Sequence, residues 1–339
     1  MAEKNEVQQK FDTPLCDLFI PDYLHRTYLN QIFYWDDSGR TDKTRVIVFT
    51  TENNLRLLQQ IREWLADGTF DLAPKRVFKQ VYSIHLIYKN KDLPMIYALL
   101  PNKTQKTYVK FFKMVKDVIK VYPVAIHMDF EKAVMNSVIL IFKCIVYGCF
   151  FHLSNNFFKK VQEKNLIDYA QDDEFRLYYK LMQGLAFVPE IDVLEAFLIL
   201  QQSSPSKFTE IQEYLEVYYI GKLVPLSRTI REKPTFPIPT WNLYQRVLDN
   251  KPRTTNSVES WHQTLTPDLK AKMDIESIVE LFRKEQAQTD KWVSQLSTGM
   301  EHKRRKESVK FDERLKNIVS DYDKSDIMGY LKKISNILS

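Results

Sequence analysis

The sequence predicts an α/β protein: a mixed sheet with helical crossovers, then an all-helical insertion and a helical C-terminal tail. Three observations carry this reading. Short β-branched and alternating runs crowd into residues 44–147; the strongest helical repeat lies between two of them; strand signals stop after residue 166. On these signals the 339 residues divide into an N-terminal extension (1–43), a sheet-bearing core (44–165) and an all-helical insertion (166–248). Core helices (249–300) and a basic amphipathic tail (301–339) follow.

In chain order, residues 1–43 are mixed and end in a polar turn, Asp36-Asp37-Ser38-Gly39-Arg40. The run 44–50 (TRVIVFT) reads as a strand and Glu52–Ile61 as a helix. A second strand spans Trp64–Phe70. Lys79–Tyr88 alternates, with Tyr82, Ile84, Leu86 and Tyr88 on one face and Ser83 and His85 on the other. Met95–Leu100 is continuously apolar, as a central strand should be. From Gln105 to Tyr122, apolar residues recur at three and four while five lysines take the other side, which is an amphipathic helix. A short strand, Val124–Met128, ends at Asp129. A helix (Phe130–Phe142), a strand (Cys144–Tyr147) and a helix (150–164) follow. The apolar stretch Ala133–Leu153 holds Lys143 and His152 and divides at Gly148, so it reads as helix and strand rather than as a membrane span.

Composition excludes several chemistries. The chain has only seven glycines, no two closer than 29 positions, so no phosphate-cradling glycine-rich loop and no G-x-S-x-G elbow can be present. Three cysteines, Cys16, Cys144 and Cys149, are too few for a disulfide framework or a four-cysteine zinc module. Residues 1–12 lack a signal-peptide pattern, and the expected compartment is the reducing cell interior. A net charge of +6 suits a polyanionic partner.

Topology singles out three acids. Asp67 lies on the first strand of a three-strand meander, and Asp129 at the C-terminal end of the strand after the crossover helix. If those strands pair in parallel, both aspartates meet at the strand ends, where open sheets place their sites. Glu259, in Arg253–His262, is the candidate third carboxylate. Three clustered carboxylates repel one another unless metal is present, and two Mg²⁺ or Mn²⁺ ions roughly 3.5–4 Å apart remove that repulsion. Each residue also has a structural reading. Asp67-Gly68 is a turn dipeptide, Asp129 an N-cap, and Asn256-x-x-Glu259 a capping box.

Eight ordered blocks across residues 44–290 resemble the Mutator-like element (MULE) transposase domain. They are Asp67–Phe70 with Ala73-Pro74 and Phe78–Tyr82; Pro94–Lys103 with Tyr108; His127–Ala133; Gly148–Leu153; Leu185–Pro189; Tyr218–Gly221; Pro237 with Trp241-Asn242; and Arg253–His262. The resemblance implies a ribonuclease H-like core with a helical insertion between the second and third acids. It implies that Asp67, Asp129 and Glu259 are the catalytic, metal-binding D, D and E of a DNA transposase that cleaves and joins strands with two Mg²⁺ or Mn²⁺ ions. Cys149-x-x-His152 matches the family's C-x-x-H motif. A packing or DNA-positioning role is favoured over zinc, for which Cys144 and His262 would be the only further ligands. Trp241 is read as a base-stacking platform or a core residue, and Asn256 and His262 as accessory positions. The implied partners are double-stranded DNA (transposon ends and target) and further copies of the chain, as a homodimer or larger oligomer, with no membrane. The implied location is the nucleus in a eukaryote and otherwise the cell interior. Lys303–Lys306 is either an import signal or a solvated helix face. The family's upstream zinc module has no counterpart here, and Thr255 stands where the family often has Asn. The alternative is an idle or domesticated descendant that binds DNA or protein without cutting.

Overall fold

The computed structural model describes residues 15–74, 77–164, 166–227, 229–265 and 274–338. The segment read as lacking a signal pattern lies outside them. In chain order the sheet begins with β1 (Tyr34–Asp37) and β2 (Ile47–Phe49). Helix α1 (Glu52–Gln60) starts where Thr51 accepts from the Asn54 amide. The meander β3 (Glu63–Thr69), β4 (Gln80–Tyr88) and β5 (Lys91–Leu100) follows. Helix α2 (Gln105–Val118), capped by Thr104, leads to β6 (Ala125–Met128), and α3 (Lys132–Phe142) to β7 (Ile145–Gly148). Then come α4 (Phe150–Lys164), α5 (Leu166–Gln171), α6 (Asp173–Gly184), α7 (Val193–Ser203) and α8 (Thr209–Leu215). The remaining helices are α9 (Ile238–Trp241), α10 (Tyr244–Leu248), α11 (Asn256–Leu265), α12 (Ile275–Ser297), α13 (Lys306–Ser320) and α14 (Ile327–Ile337). Among the described residues no helix is long and apolar enough to cross a membrane. The stretch 133–153 is divided among α3, β7 and the start of α4, as its polar residues require.

Seven strands form one mixed sheet in the order β1-β2-β5-β4-β3-β6-β7. The β3-β4-β5 meander is antiparallel, and β6 joins β3 in parallel with Glu63 opposite Ala125, Trp64 opposite Ile126 and Leu65 opposite His127. The chain forms two compact units, residues 1–146 with 255–303 and residues 147–254 with 304–339. The break falls within β7 rather than at residue 165, so α4 belongs with the helical unit. The tail helices α13 and α14 belong there too. The first unit also takes in residues read as an extension: β1 is an edge strand, antiparallel to β2. Arg45 anchors it, with Nε 2.9 Å from Asp37 Oδ1 and Nη1 donating to the carbonyls of Leu15 and Leu18.

The sheet of the first unit is buried on both faces. On one, Tyr82 meets Tyr108 and Phe111 of α2 edge-on, at 5.6 Å in each case. On the other, Phe282 of α12 stacks on Tyr97 at 5.0 Å and packs against Phe49 in a cluster with Leu99, Val81 and Ile278. The second unit is helical, with a π-helical turn at Glu216–Ile220 ahead of Gly221. Gly221 has φ of +97°, and a Cβ there would lie 2.0 Å from the Glu232 carbonyl oxygen.

Candidate active site in the sheet-bearing unit

The parallel pairing of β3 with β6 brings the first two acids together. The pairing runs as far as Leu65 and His127; Asp67 lies two residues further along β3, and Asp129 two residues further along the chain, just past the end of β6. Both aspartates line one narrow cleft, together with Gly68, Gln80, Tyr82, Lys103, Tyr108 and Glu131.

Asp67-Gly68 is not a turn: both residues lie inside β3. Asp67 is 7% exposed, and its Oδ1 accepts the Gly68 amide at 2.7 Å. Its Oδ2 lies 3.1 Å from Nδ1 of His262. Gly68 faces the opposite side, where a Cβ would come within 2.7 Å of Gln80 Oε1 and 2.9 Å of Tyr82 Cδ2. The glycine is needed because the Tyr82 ring closes over the strand. Nor does Asp129 cap α3, since the residue at that N-cap is Glu131. Glu131 instead accepts from Lys103 Nζ at 3.0 Å, and the ammonium sits 4.0 Å above the Phe70 ring.

The electrostatics of this cleft are acidic. Burial, then the neighbouring Tyr108, then Asp67, Asp129 and Glu131 hold the Tyr82 phenol far above its usual range. Burial likewise raises Tyr108, whose hydroxyl accepts from Gln80 Nε2 at 2.9 Å. Both phenols remain hydrogen-bond donors at neutral pH.

Helix α11 carries the third acid. Its start corrects the capping-box reading. The Thr255 carbonyl accepts the amides of Val258 and Glu259, so the exposed Asn256 is the first helical residue and Glu259 lies one position beyond the box. Val258, His262 and Leu265 face inward, and His262 ties the helix to Asp67. Glu259 stands one turn before His262 on that helix. It does not line the cleft that Asp67 and Asp129 share.

The accessory positions divide. His262 is structural to the site: Nδ1 faces Asp67, and Nε2 lies 3.2 Å from Ser83 Oγ, so its ring nitrogens are engaged by protein oxygens rather than offered to zinc. The Cys144 thiol is pushed up to about 11 by burial, which removes it as a ready thiolate ligand. In the helical unit, Cys149 is fully buried and His152 half-buried one turn further on, at the start of α4. Trp241 is 2% exposed and its indole N–H reaches the Tyr219 carbonyl at 3.3 Å, so it is a core residue and not a base-stacking platform. Of the basic quartet, Lys303, Arg304 and Arg305 precede α13 and are exposed, which corrects the helix-face reading for three of the four.

Sequence reasoning missed Gln80, Lys103 and Glu131 as cleft residues, although all three fall within the blocks that carry the resemblance. Glu131 carries a spacing signal, since it follows Asp129 by two. The chain matches no protein-family model, and no curated protein matches it.

Proposed function

We propose that the sheet-bearing unit is the catalytic core of a metal-dependent phosphodiester-transfer enzyme, a MULE-like DNA transposase with a ribonuclease H-like sheet. One observation supports this: Asp67 of β3 and Asp129, just past β6, line one cleft together with Glu131. Asp67 and Asp129 offer carboxylate oxygens, the donor type that Mg²⁺ and Mn²⁺ prefer. Each oxygen of Asp67 accepts one hydrogen bond and keeps a second lone pair. Bound divalent cations would supply Lewis-acid activation of water, or of a DNA 3′-hydroxyl, and stabilise the leaving oxygen. Asp67 and Asp129 would hold them in the cleft, and Glu259, which does not line it, enters as the third acid from the resemblance alone. Lys103, held by Glu131 and lying over Phe70, would contact the DNA backbone at the cleft mouth. The basic balance of the chain favours such a strand. On this reading the protein would work in the nucleus if its host is a eukaryote, and joining two transposon ends would call for at least two copies.

A second reading, DNA binding without cutting, is favoured by the same two hydrogen bonds. Asp67 is already satisfied by the protein and would be a structural acid. Nicking of supercoiled DNA separates the two. With Mn²⁺, the protein should nick, and Asp67→Ala or Asp129→Ala should lose on the order of 100-fold or more while DNA affinity is kept. Glu259→Ala should fall equally. Equal nicking by the Asp67→Ala/Asp129→Ala double variant would refute the catalytic reading. Salt-dependent binding with no nicking would leave the second.

A further inference from the structure

Strand β4 carries two adjacent polar side chains on one buried face. Ser83 and His85 are fully buried and lie on the side that faces α11, while Tyr82, Ile84 and Leu86 fill the other. Both polar side chains are hydrogen-bonded, and the bonds form a line. Asp92 Oδ1 lies 2.7 Å from His85 Nδ1, and His85 Nε2 lies 3.0 Å from Ser83 Oγ. Ser83 Oγ is 3.2 Å from His262 Nε2, and His262 Nδ1 is 3.1 Å from Asp67 Oδ2. The line runs from Asp92, on the first residues of β5, to the acid in the cleft.

An irregularity in the sheet makes this line possible. Ile84 pairs with Ile96, but His85 pairs with Pro94, so Met95 is an extra residue on β5. One inserted residue reverses the alternation of every side chain beyond it. Without the bulge Asp92 would stand opposite Tyr88; with it, Asp92 stands opposite Ile87 and shares the face of His85. The bulge also admits Pro94 into a strand flanked on both sides. The Met95 carbonyl it turns aside accepts from Thr50 Oγ1 at 2.7 Å and Asn54 Nδ2 at 2.9 Å. Trp261 closes edge-on over the His85 ring, 4.8 Å between centroids.

We propose that Asp92, His85 and Ser83 are positioning residues: with His262 they form a buried strut that fixes the orientation of the Asp67 carboxylate. The assignment rests on the reading of Asp67 as a metal-binding acid. A ligating carboxylate works only when its direction is held, and outer partners of metal ligands are worth about 10–100-fold in affinity or activity. Each link here is fixed by the next. His262 orients Asp67, Ser83 sets the plane of His262, and the His85–Asp92 pair sets Ser83.

The test uses the full chain with Asp92→Asn and Ser83→Ala, each read in two ways. Side-chain nitrogen spectra of the histidines, recorded without metal, report the strut itself. Mn²⁺ titration calorimetry and Mn²⁺-dependent nicking report its consequence. Asp92→Asn should shift the His262 ring resonances although Asp92 does not touch that ring, and should weaken Mn²⁺ binding about tenfold. Metal-free DNA affinity should be unchanged, and Asp92→Glu should recover part of the loss. Unchanged His262 resonances in Asp92→Asn would overturn the strut even if the wild type nicks DNA. Shifted resonances with unchanged Mn²⁺ affinity would overturn its positioning role. A wild-type protein that binds no Mn²⁺ would remove the catalytic reading, and the role of the strut with it.

Discussion

Adding one methyl group to the site strand is a sharp test of the packing. In Gly68→Ala the new Cβ would lie 2.7 Å from Gln80 Oε1, 2.9 Å from Tyr82 Cδ2 and 3.4 Å from Tyr82 Cε2. Neither neighbour has room to retreat. Tyr82 is wedged against Tyr108, Phe111 and Phe112, and Gln80 is fully buried with its amide donating to Tyr108. Overpacking of this kind costs about 1–3 kcal/mol. Replacing glycine in a strand returns roughly 0.5–1 kcal/mol through the unfolded chain. The expected net loss is about 0–2.5 kcal/mol, and at roughly 2–4 °C per kcal/mol the transition should fall by up to about 10 °C. Thermal unfolding followed by tyrosine and tryptophan fluorescence measures it, with urea titration to check that the slope is unchanged. Since Gly68 adjoins Asp67, Mn²⁺-dependent nicking should fall as well. A Gly68→Ala protein more stable than the wild type would mean that Tyr82 does not close over β3, and the account of the Asp-Gly pair would fail.

Further predictions concern the edge of the sheet and the acid limit of stability. Arg45 is 2% exposed, is paired with Asp37 through Nε at 2.9 Å, and bonds two carbonyls. Arg45→Ala removes the donor of the half-buried Asp37 carboxylate and of two carbonyls and should cost about 1–3 kcal/mol in urea unfolding; a loss below about 0.5 kcal/mol would contradict the anchoring of β1. Burial acts to raise Asp42, but hydrogen bonds from Lys110, Ser38 and Thr44 outweigh it and hold the carboxyl well below its usual range. A depressed folded value stabilises above the unfolded carboxylate value, about 4, and the contribution is lost as pH falls below it. Stability measured from pH 7 to pH 3 should therefore decline, and Asp42→Asn should decline less steeply; parallel curves would refute the pairing. Among the cysteines, Cys16 is exposed, Cys149 is buried and the Cys144 thiol is pushed up to about 11. A thiol reagent at pH 7 should modify Cys16 first, and Cys144 should gain speed as pH rises towards its value.

How much of this was legible depended on the length of the pattern. The strands of the meander, the α2 repeat and β6 announced themselves through alternation and spacing. From them the parallel pairing of β6 with β3, which brings Asp67 and Asp129 to one cleft, could be argued, because a helical crossover favours a parallel next strand. Four half-buried residues at β1 gave no period to read, and a buried arginine eight residues from Asp37 holds them in place. The start of α11 was misread by one residue because Asn256 is the better cap by type, while Thr255 is the residue whose carbonyl opens the helix. Trp241 could not be assigned from sequence, since an indole serves a core and a base equally well and only its burial decides. The bulge at Met95 has the least visible cause and the largest effect. It moves Asp92 from one face of the sheet to the other, and with a strict period of two the strut could not have been foreseen.

The placement of Asp67 also bears on why the site is there. Strand β3 is flanked by β4 and β6 and covered on both faces, a position where folding alone favours Val or Ile. A carboxylate that is 7% exposed instead requires a histidine from α11, a serine from β4 and the amide of Gly68 to offset its lost hydration. An apolar side chain at position 67 would dispense with all of these, and with the need for a bulged β5 behind them. Replacing a buried polar network by well-packed apolar groups is often neutral or stabilising. A combined Asp67→Val, Ser83→Val, His85→Leu and His262→Leu variant, which removes the partner of the fully buried His85 together with Ser83, should therefore fold with stability close to that of the wild type and lose Mn²⁺-dependent nicking, as urea unfolding and the nicking assay would show. A quadruple variant that failed to fold would make the acid a structural necessity, and the argument from burial to function would lose its force.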